Sequence, residues 1–598
     1  MTAKPFRLPA LLLTALLGAG CASVPEQAPP AAATAGPSAD ELFARGDFRA
    51  AAEAYLALAR NNGTARNHYR LRAAEALREE GDLAGAAAAL EGVKRKRLPA
   101  DEGVRLDLLD AEIALSQKDA NQALALLATP DTGLSPELAA RRLELTARAQ
   151  AMTGDAFGAA RTRATLDRRL TGSDRGQNQK QILDALGGLG SQALKQRASV
   201  LPADDPLRPW LDLALRKQGE ALPLSLGSPR RPVGTLMHGA GGPQGREWVR
   251  EGHYEIHRIA LLLPAAGALS AAATAVRDGF FAAHFSGHGE DTDAQVRVYD
   301  SGTTPEDALA AYRRAVADGA ERVVGPLARE AVAAIFEQPE LPVPVLALNQ
   351  ADSGTTPPAG SLAFGLAPEI EGALAAEHMR DAGIGEAAVI AASEDWAERA
   401  VQSFRAQFES LGGRIAGTAR LKDGEVRYAS LIRQALGEPG NAQGRGLFLG
   451  LRPAQARLLM PQIRLVDASL PVFATSHMYA GSDNPASDRD LDGIEFCDLP
   501  WLFDASTGLP RHDEMARAIE SARGANGRLF ALGLDAYALL PYLDWLRGHP
   551  DDYLPGATGQ LVVDPFGRVQ RHLTWARFEN GLARPVAGSL SVSGTPAP

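Results

Sequence analysis

Cysteine and lysine are scarce in this chain, which has two cysteines and eight lysines among 598 residues. With so few cysteines, packed cores rather than a disulfide framework must stabilise the fold. None of the lysines follows a glycine, which excludes the Gly-Lys phosphate-binding loop. None lies three residues after a serine, so the Ser-x-x-Lys pair of β-lactamases and transpeptidases is absent too.

An excess of positive charge is also absent, because 62 basic residues stand against 72 acidic ones, a net charge of −10. This balance argues against nucleic acid or an anionic lipid surface as the main partner. The hydrophobic share of 45% and the charged share of 22% are ordinary for globular proteins. A single hydrophobic core stops growing near ~250–300 residues, so we expect more than one domain.

The first twenty residues have the organisation of a secretory signal peptide. Lys4 and Arg7 precede an apolar run, Leu8–Leu17, and small residues follow at 18–20. The apolar part is shorter than the ~20 residues that a membrane-spanning helix needs. We therefore predict that residues 1–20 are an export signal and not a membrane anchor.

Cys21 stands directly after this segment and resembles the lipidated cysteine of the lipobox in bacterial lipoproteins. The lipobox usually carries Leu three residues before the cysteine, whereas this chain has Gly18 there. Ala22 occupies the position of a retention-type Asp, so the resemblance implies an outer-membrane lipoprotein that faces the periplasm. An ordinary cleaved signal with an incidental cysteine is the alternative. If Cys21 is lipidated, Cys497 has no partner for a disulfide.

Residues 21–38 are rich in Pro and Ala, and we interpret them as a flexible tether. Residues 39–222 then contain a repeat whose two-residue anchors recur at spacings of 35, 37 and 36. The anchors are Gly46-Asp47, Gly81-Asp82, Lys118-Asp119 and Gly154-Asp155. Each anchor ends one Ala- and Leu-rich helical pattern and caps the next. This pattern is typical of a tetratricopeptide-like α-solenoid, with a non-repeating helical bundle as the alternative.

Residues 223–256 are rich in Gly, Pro and Arg and are predicted to be a linker. In residues 257–580 apolar strand patterns alternate with amphipathic helical patterns, which predicts parallel sheets between helices, in two doubly wound lobes. The predicted strands are 257–264, 294–300, 322–327, 343–349, 387–393, 445–451 and 470–476. A hairpin with its turn at Pro565–Gly567 ends the domain, and residues 581–598 are a tail.

The carboxyl ends of these strands are the candidate ligand site, because doubly wound folds bind ligands there. The residues at these ends are Pro264, Gly325, Leu327, Asn349, Thr475 and Ser476. A small charged ligand needs an Arg, Asp or Glu, and the predicted ends are apolar or neutral. A tethered receptor for a solute or a muropeptide, binding in the interlobe cleft, is weakened by this and stays an alternative.

Three further patterns resemble metal or catalytic sites only in part. Residues 488–493 match the start of a calcium loop, but its twelfth position is Leu499 instead of Glu. His284 and His288 have a zinc-ligand spacing, although the glycines around them indicate a helix end. The loop 238–242 resembles an oxyanion loop without a nucleophile elbow. We therefore predict no metal, no cofactor and no catalytic residue.

Several strings of the second domain are specific in combination. They include ATSHMYAG at 474–481 and DLDGIEF-x-DLPWL at 490–502, with IALLLPAAG at 259–267, VVGPLARE at 323–330 and FGLAPEIEG at 364–372. Together they resemble the LppC/LpoA family. The resemblance implies a TPR-like helical domain followed by a two-lobed α/β domain with the type I periplasmic-binding-protein fold.

The resemblance also implies a function. Members of this family are outer-membrane lipoproteins that bind and activate a class A penicillin-binding protein, a bifunctional peptidoglycan synthase, and stimulate its transpeptidation. The expected partners are that synthase, the outer membrane through the lipid anchor, and peptidoglycan, with no nucleic acid. A cell-wall hydrolase is a further alternative, in which two of Glu394, Asp395 and Asp535 would have to meet in space.

Overall fold

The computed structural model describes residues 37–586, with gaps at 129–133, 171, 203–204, 221, 225, 227–230, 234–235, 239–247, 251, 287–293, 339–340, 352–354, 359, 423, 425–427, 438–443 and 507. The predicted signal peptide, Cys21 and nearly all of the predicted tether lie outside the described residues, as do residues 587–598 of the predicted tail. The chain divides into two compact units between Leu134 and Ser135. The domain boundaries drawn from the sequence stay predictions.

The first unit consists of paired helices. They are α1 Ala39–Ala44, α2 Phe48–Asn61, α3 Arg66–Glu79, α4 Leu83–Leu90, α5 Ala100–Ser116 and α6 Ala120–Leu127. Gly81 and Lys118 end their helices in the left-handed region, with φ of 87° and 65°. Asp82 and Asp119 then cap the next helices by accepting the backbone N–H three residues on. The predicted anchors at 81–82 and 118–119 are confirmed here. At 46–47, Gly46 has φ of 82°, but the Asp47 side chain makes no capping hydrogen bond.

The second unit begins with five more helices. They are α7 Pro136–Met152, α8 Ala156–Asp167, α9 Gly172–Gly187, α10 Ser191–Ala198 and α11 Arg208–Lys217. α7 and α8 repeat the paired geometry, because Gly154 has φ of 82° and Asp155 caps α8. A buried cluster of these helices includes Phe566 of the α/β part, whose ring lies 4.7 Å from that of Trp210, edge to face. Helices α8–α11 are therefore packed on the α/β domain.

The first lobe of the α/β domain holds a five-stranded parallel sheet. Its elements and the short strands before it are β1 Arg231–Pro232, β2 Leu236–His238, β3 Trp248–Arg250, β4 Arg258–Leu263, α12 Ser270–Ser286, β5 Gln295–Asp300, α13 Pro305–Ala317, β6 Arg322–Val324, α14 Arg329–Phe336, β7 Val345–Ala347 and β8 Leu362–Ala363. The order of the strands in the sheet is β5-β4-β6-β7-β8. Such a sheet, with apolar strands buried between helices, is the doubly wound arrangement predicted for this half.

The second lobe follows, and the chain then returns to the first. The elements of the second lobe and of the return are α15 Pro368–Asp381, β9 Glu386–Ala392, α16 Asp395–Ser410, β10 Arg414–Leu421, α17 Tyr428–Leu436, β11 Arg445–Gly450, α18 Pro453–Val466, β12 Val472–Ala474, α19 Pro485–Asp488, β13 Ile494–Asp498, α20 His512–Ala518, α21 Gly527–Leu539, α22 Leu543–Gly548, β14 Asp552–Gly556, β15 Gly559–Val563, β16 Val569–His572, β17 Thr574–Glu579 and β18 Leu582–Pro585. The second sheet has the order β10-β9-β11-β12-β13-β17-β18, parallel through β13 and antiparallel beyond it.

Three chain segments connect the lobes, from β8 to α15, from β13 to α21 and from β16 to β17. The returning helix α21 packs closely on α12 of the first lobe. A Cβ on Gly279 of α12 would lie 1.9 Å from the Phe530 carbonyl oxygen, and one on Gly533 of α21 would lie 2.1 Å from that of Val276. The two glycines therefore allow the backbones of these helices to touch.

One helical run of the described residues, Gly524–Gly548, is long and apolar enough to cross a membrane, judged by length and composition alone. Its most apolar window is 67% buried inside the protein. Phe530, Leu532 and Leu534 in this run belong to hydrophobic cores of the α/β domain. We therefore interpret it as a core helix.

Candidate functional site

At the strand ends of the first lobe, the polar atoms are satisfied by the chain itself. Pro264 and Leu327 are buried there, and Asn349 is half-buried. The Asn349 amide donates to the Leu327 carbonyl oxygen at 2.9 Å, and its own oxygen accepts the next backbone N–H. Gly325 has φ of 103°, and a Cβ there would lie 2.1 Å from the Leu262 carbonyl oxygen. The Asn349 side chain therefore joins the residues that follow β6 and β7 by a hydrogen bond.

In the second lobe, Thr475 and Ser476 follow β12 and are almost completely buried. The Ser476 backbone N–H and hydroxyl both donate to the carboxylate of Glu371 on α15, at 3.0 and 2.9 Å. A nucleophilic serine requires a general base such as imidazole and access to substrate. Ser476 instead donates directly to a carboxylate and is 3% exposed, so it has a structural role.

Glu371 remains ionised although it is buried. Burial opposes its ionisation, but the nearby His477 and Arg571 and the Ser476 hydrogen bonds outweigh burial, so the pKa of Glu371 lies below its usual value. His477 Nδ1 and an Arg571 nitrogen each lie 3.8 Å from the carboxylate, too far for hydrogen bonds. The contribution of Arg571, whose guanidinium group is permanently charged, is therefore mainly electrostatic attraction.

A second buried ion pair lies beside the first. Arg528 Nε donates to Asp498 Oδ1 at 2.9 Å, and another guanidinium nitrogen donates to the carbonyl oxygens of Ser476 and Tyr479. Cys497, next to Asp498, is fully buried, and burial raises the pKa of its thiol well above the usual value. The expectation that Cys497 is a small buried core residue is confirmed, and its thiol is unsuited to nucleophilic chemistry.

Arg571 of β16 is the most unusual member of this buried cluster. Its side chain is 0% exposed, and none of its three guanidinium nitrogens donates a hydrogen bond to any described residue. Burial lowers the pKa of Arg571, while Glu371, Cys497 and Asp498 oppose that change. Two acids, Glu371 and Asp498, thus face two guanidinium groups, those of Arg528 and Arg571. The charges of the cluster balance.

Charged residues lie directly beyond two other strands of the second lobe, whose ends were not among the candidate residues of the sequence. Glu394 follows β9 and Arg452 follows β11, and their side chains form an ion pair at 2.9 Å. Arg452 also lies over the Trp396 ring at 5.4 Å, on which His477 stacks at 3.8 Å. The charges missed by sequence reasoning therefore satisfy one another.

The charged residues that the sequence analysis did not identify differ in how far the sequence indicates them. Glu394 and Arg452 each stand one residue past a predicted strand, where the candidate site could have been extended to include them. Glu371 is one of two acids, with Glu369, in the first turn of α15, and the sequence does not indicate which of them is buried or what its partner is. Arg528 and Arg571 come from distant segments, and only the fold shows that they meet Glu371.

The other candidate residues of the sequence do not assemble into a reactive site. Asp535 is buried and accepts three hydrogen bonds, from the backbone N–H groups of Ala557 and Thr558 and from the Thr558 hydroxyl. Glu394 pairs with Arg452, and Asp395 is exposed. The three acids proposed for a hydrolase are thus bound to different partners or face solvent.

The metal-like patterns have structural partners as well. Asp488 is buried and accepts from Arg457 at 2.6 Å, and Asp492 accepts the backbone N–H of Gly581 at 2.7 Å. His284 contacts the Tyr537 hydroxyl at 3.2 Å, while His288 and the loop 239–242 lie outside the described residues. Within the described part of the chain, no group of three or more His, Cys, Asp or Glu side chains could hold a metal ion.

These observations define a class of protein: TPR-like helices followed by a two-lobed α/β domain of the periplasmic-binding-protein type. The family described as "LppC putative lipoprotein" matches residues 46–223 and 252–581, and the chain belongs to this family.

Named relatives agree with this assignment. The chain is 28% identical to the penicillin-binding protein activator LpoA of Photobacterium profundum over 466 residues, 72% of this chain and 74% of that protein. It is 28% identical to LpoA of Mannheimia succiniciproducens over 546 residues, 87% of this chain and 89% of that protein. The crystal structure of full-length LpoA from Haemophilus influenzae covers 90% of this chain and 98% of its own, with a TM-score of 0.48 at 21% identity.

Proposed function

We propose that this protein is a non-catalytic outer-membrane lipoprotein that binds and activates a bifunctional peptidoglycan synthase, a class A penicillin-binding protein. The observation that carries the proposal is the family match over both domains, together with relatives named penicillin-binding protein activators across 72% and 87% of the chain. Activation is proposed to take the form of faster transpeptidation, which promotes synthesis of the cell wall.

The proposal gives each segment of the chain a task. Residues 1–20 direct export, and the lipid on Cys21 holds the protein to the outer membrane, facing the periplasm. Several acyl chains on one residue give stable anchoring, whereas a single chain binds only marginally. Residues 21–38 are the tether, residues 39–222 the helical region, residues 223–256 the linker, and residues 257–580 the α/β domain that follows. Peptidoglycan, the substrate of the synthase, is a further proposed partner.

The described strand ends support a docking role over a receptor role. Doubly wound folds bind ligands in the crevice beyond the carboxyl ends of their strands, and a polar ligand there needs hydrogen-bonding groups that the protein has not already used. In this protein Asn349 and Ser476 are bonded to Leu327 and Glu371, and Glu394 is paired with Arg452. A solute would have to break these hydrogen bonds and this ion pair, because the polar groups that form them already have partners.

A reconstituted reaction tests the proposal. The acyl-free protein, beginning after Cys21, is added to a purified class A penicillin-binding protein with lipid-linked peptidoglycan precursor, and cross-linked muropeptides are measured with time. We expect a faster appearance of cross-linked products, which penicillin abolishes because the synthase performs the chemistry. An unchanged rate of cross-linking contradicts the proposal, and soluble fragments released from sacculi by the protein alone would indicate a hydrolase instead.

The anchor has a test of its own. Replacement of residues 1–21 by the cleavable signal peptide of a soluble periplasmic protein removes the thiol that accepts the lipid, so this variant should be recovered in the soluble periplasmic fraction instead of the membranes. Mass spectrometry of the wild-type N-terminal peptide should show acyl chains on Cys21. A wild-type peptide without fatty acid contradicts the proposed localisation.

A further inference from the structure

Exposed basic side chains of the first unit collect at one of its two ends. Helix α2 ends and α3 begins there, because a short connection, residues 62–65, joins the two helices. Arg60 and Arg66 lie on either side of this connection, and both are exposed. These two residues therefore point into solvent at the same end of the helix pair.

The basic run 94–97 lies at this end as well. Helix α4 runs back along α3 from the turn that joins them, so it ends near the beginning of α3. Contacts confirm this position, because Arg70 of α3 donates to the carbonyl oxygens of Ala88 and Ala89, in the last turn of α4, at 3.3 and 2.7 Å. The run follows α4 closely and is exposed. The exposed basic residues of this surface, which we call the basic end, are Arg60, Arg66, Lys94, Arg95, Lys96 and Arg97.

Most side chains of the basic end are not used within the protein. Arg95 is bound by both carboxylate oxygens of Asp107, at 2.9 and 2.8 Å. The other five form no ion pair with any residue that the structure describes. Among the nearby acids, Glu91 and Asp101 are exposed, whereas Glu102 is buried. Five unpaired basic side chains therefore stand against two exposed acids, so this surface is positive although the whole chain carries a net charge of −10.

The opposite end of the first unit has no such excess of basic charge among its described residues. Arg49 and Arg78 are paired there with acids, and Arg45 and Lys118 are exposed. The acids at or beside the three turns of this end are Asp47, Glu79, Glu80, Asp82 and Asp119. Positive charge is therefore concentrated at one end of the unit and is not spread over it.

The chain enters the first unit from the side of the basic end. Helix α1 is joined to α2 by the turn 45–47 at the opposite end, so the beginning of α1 points toward the basic end. Asp40, in the first turn of α1, accepts from the Tyr55 hydroxyl and from Arg72. Tyr55 lies only five residues before Arg60, which is about 8 Å along a helix. The segment that precedes α1 therefore joins the unit close to its basic end.

The lipid proposed for Cys21 would keep this end near a membrane. Residues 21–38 can span at most ~60 Å when fully extended, and roughly 20–25 Å on average if they behave as a flexible chain. A surface tethered so closely meets lipid headgroups at a high effective concentration, so weak attractions between single charges are sufficient for contact. Peptidoglycan also carries carboxylates, but the proposed anchor links the chain to lipid and not to peptidoglycan.

We propose that the basic end of the first unit rests on anionic phospholipid headgroups of the membrane that holds the Cys21 lipid. The acyl chains supply the anchoring, and the run 94–97 contacts the phosphate groups, so that the opposite end of the unit points away from the membrane. Attraction between exposed charges is screened within ~10 Å at 0.1 M salt, so the contact is direct. The inference rests on the proposed lipid anchor and adds an orientation to it.

Energy transfer from the two ends of the unit to a membrane surface tests the inference. The full-length lipoprotein carries a donor dye on Thr64→Cys, at the basic end, or on Gln117→Cys, at the opposite end, in vesicles with an acceptor on the headgroups. Cys497 is fully buried, so the dye reacts with the introduced thiol. In vesicles that contain phosphatidylglycerol, we expect stronger transfer from position 64 than from position 117. The difference should shrink in phosphatidylcholine vesicles and in about 1 M salt, which shortens the screening length to ~3 Å.

Two lysines of the run supply the variant. Each cation at an anionic membrane surface favours binding by about fivefold, so Lys94→Gln with Lys96→Gln should lower the ratio of bound to unbound basic ends about twenty- to thirtyfold. Transfer from position 64 should then fall to its level in phosphatidylcholine vesicles. Arg45→Gln with Lys118→Asn is the matched control, because it removes the same charge from exposed residues at the opposite end. Asn suits the left-handed φ of 65° at position 118. Transfer in the control should match the wild type.

The outcomes separate the inference from the proposal on which it rests. Equal transfer from positions 64 and 117 in anionic vesicles contradicts the inference. A difference that persists in the lysine variant and in phosphatidylcholine shows that the tether alone places the unit, and the inference is again wrong. If the acyl-free protein sediments with sacculi, the lysine variant does not, and both give the same transfer in vesicles, the basic end binds the cell wall instead. If the purified protein carries no acyl chain and stays out of vesicles, the proposed localisation fails first and the inference with it.

Discussion

At the scale of single residues, the buried charges of the α/β domain lie where the chain passes between its lobes. Glu371 stands just after the first connection, Asp498 just before the second and Arg571 just before the third. Burial of one unpaired charge is costly, so each of these residues holds its segment near a partner on another segment. We infer that the cluster fixes how the three connections are arranged, which an apolar core could do less specifically.

Asp535, on the returning helix α21, gives a prediction about pH. Burial raises the pKa of Asp535 from 3.8 to about 6, although the hydrogen bonds from Thr558 and Ala557 oppose the change. The folded protein therefore binds this proton more tightly than the unfolded chain. The resulting contribution to the free energy of unfolding is complete below about pH 4 and is lost as the pH rises through about 6. A shift of about two pKa units corresponds to about 3 kcal/mol.

Urea unfolding between pH 4 and pH 7 measures this effect. All six tryptophans lie beyond residue 200, so their fluorescence follows the second unit. The variant Asp535→Asn cannot titrate at this position, and its free energy of unfolding relative to the wild type should rise by about 2–3 kcal/mol over this range. If the difference between the free energies of unfolding of the two proteins stays constant from pH 4 to pH 7, Asp535 is ionised throughout this range and the prediction is wrong.

At the scale of helices and strands, the parts of the fold that the sequence predicts are those with an unbroken apolar pattern. All seven predicted strands are present, as β4, β5, β6, β7, β9, β11 and β12. The patterns do not predict β10 or β13. β10 lies at the edge of its sheet with half-buried side chains, and β13 carries Glu495, which pairs with His378 and Arg577. Edge position and paired charge both weaken the apolar signal on which such predictions depend.

Replacing a glycine by alanine should have opposite effects on stability in the α12–α21 contact and in an open part of α9. Gly279→Ala places a methyl group against the Phe530 carbonyl oxygen, so the helices must separate, and we expect a loss of about 1–3 kcal/mol or more. A Cβ on Gly176, in α9, would meet no neighbouring atom within 4 Å, so Gly176→Ala should stabilise the protein by about 0.5–1 kcal/mol. Tryptophan-detected urea unfolding compares the two variants. Equal changes of the same sign would contradict the contact.

At the scale of the whole chain, the change of composition at residues 223–256 predicts a domain junction. In the structure, however, contacts join the helices before this segment to the α/β domain after it. The Leu224 backbone N–H donates to Gln407 of the second lobe at 2.8 Å. Phe566, at the turn between β15 and β16, is 3% exposed and contributes to the buried cluster of α8–α11. A contact between segments so distant in sequence leaves no local pattern, which is why composition alone could not indicate it.

Phe566→Ala tests whether this side chain holds α8–α11 to the α/β domain. Truncation of a buried phenylalanine costs about 3–5 kcal/mol, and the loss should appear in tryptophan fluorescence because Trp210 packs against the Phe566 ring. Trypsin should then cleave residues 135–222 faster than in the wild type, since these helices lose their support. Phe285→Ala is the matched control, because Phe285 is 77% exposed and its removal leaves no cavity. If both variants unfold and digest like the wild type, Phe566 does not join the helices to the α/β domain, and the second unit depends on other contacts for its cohesion.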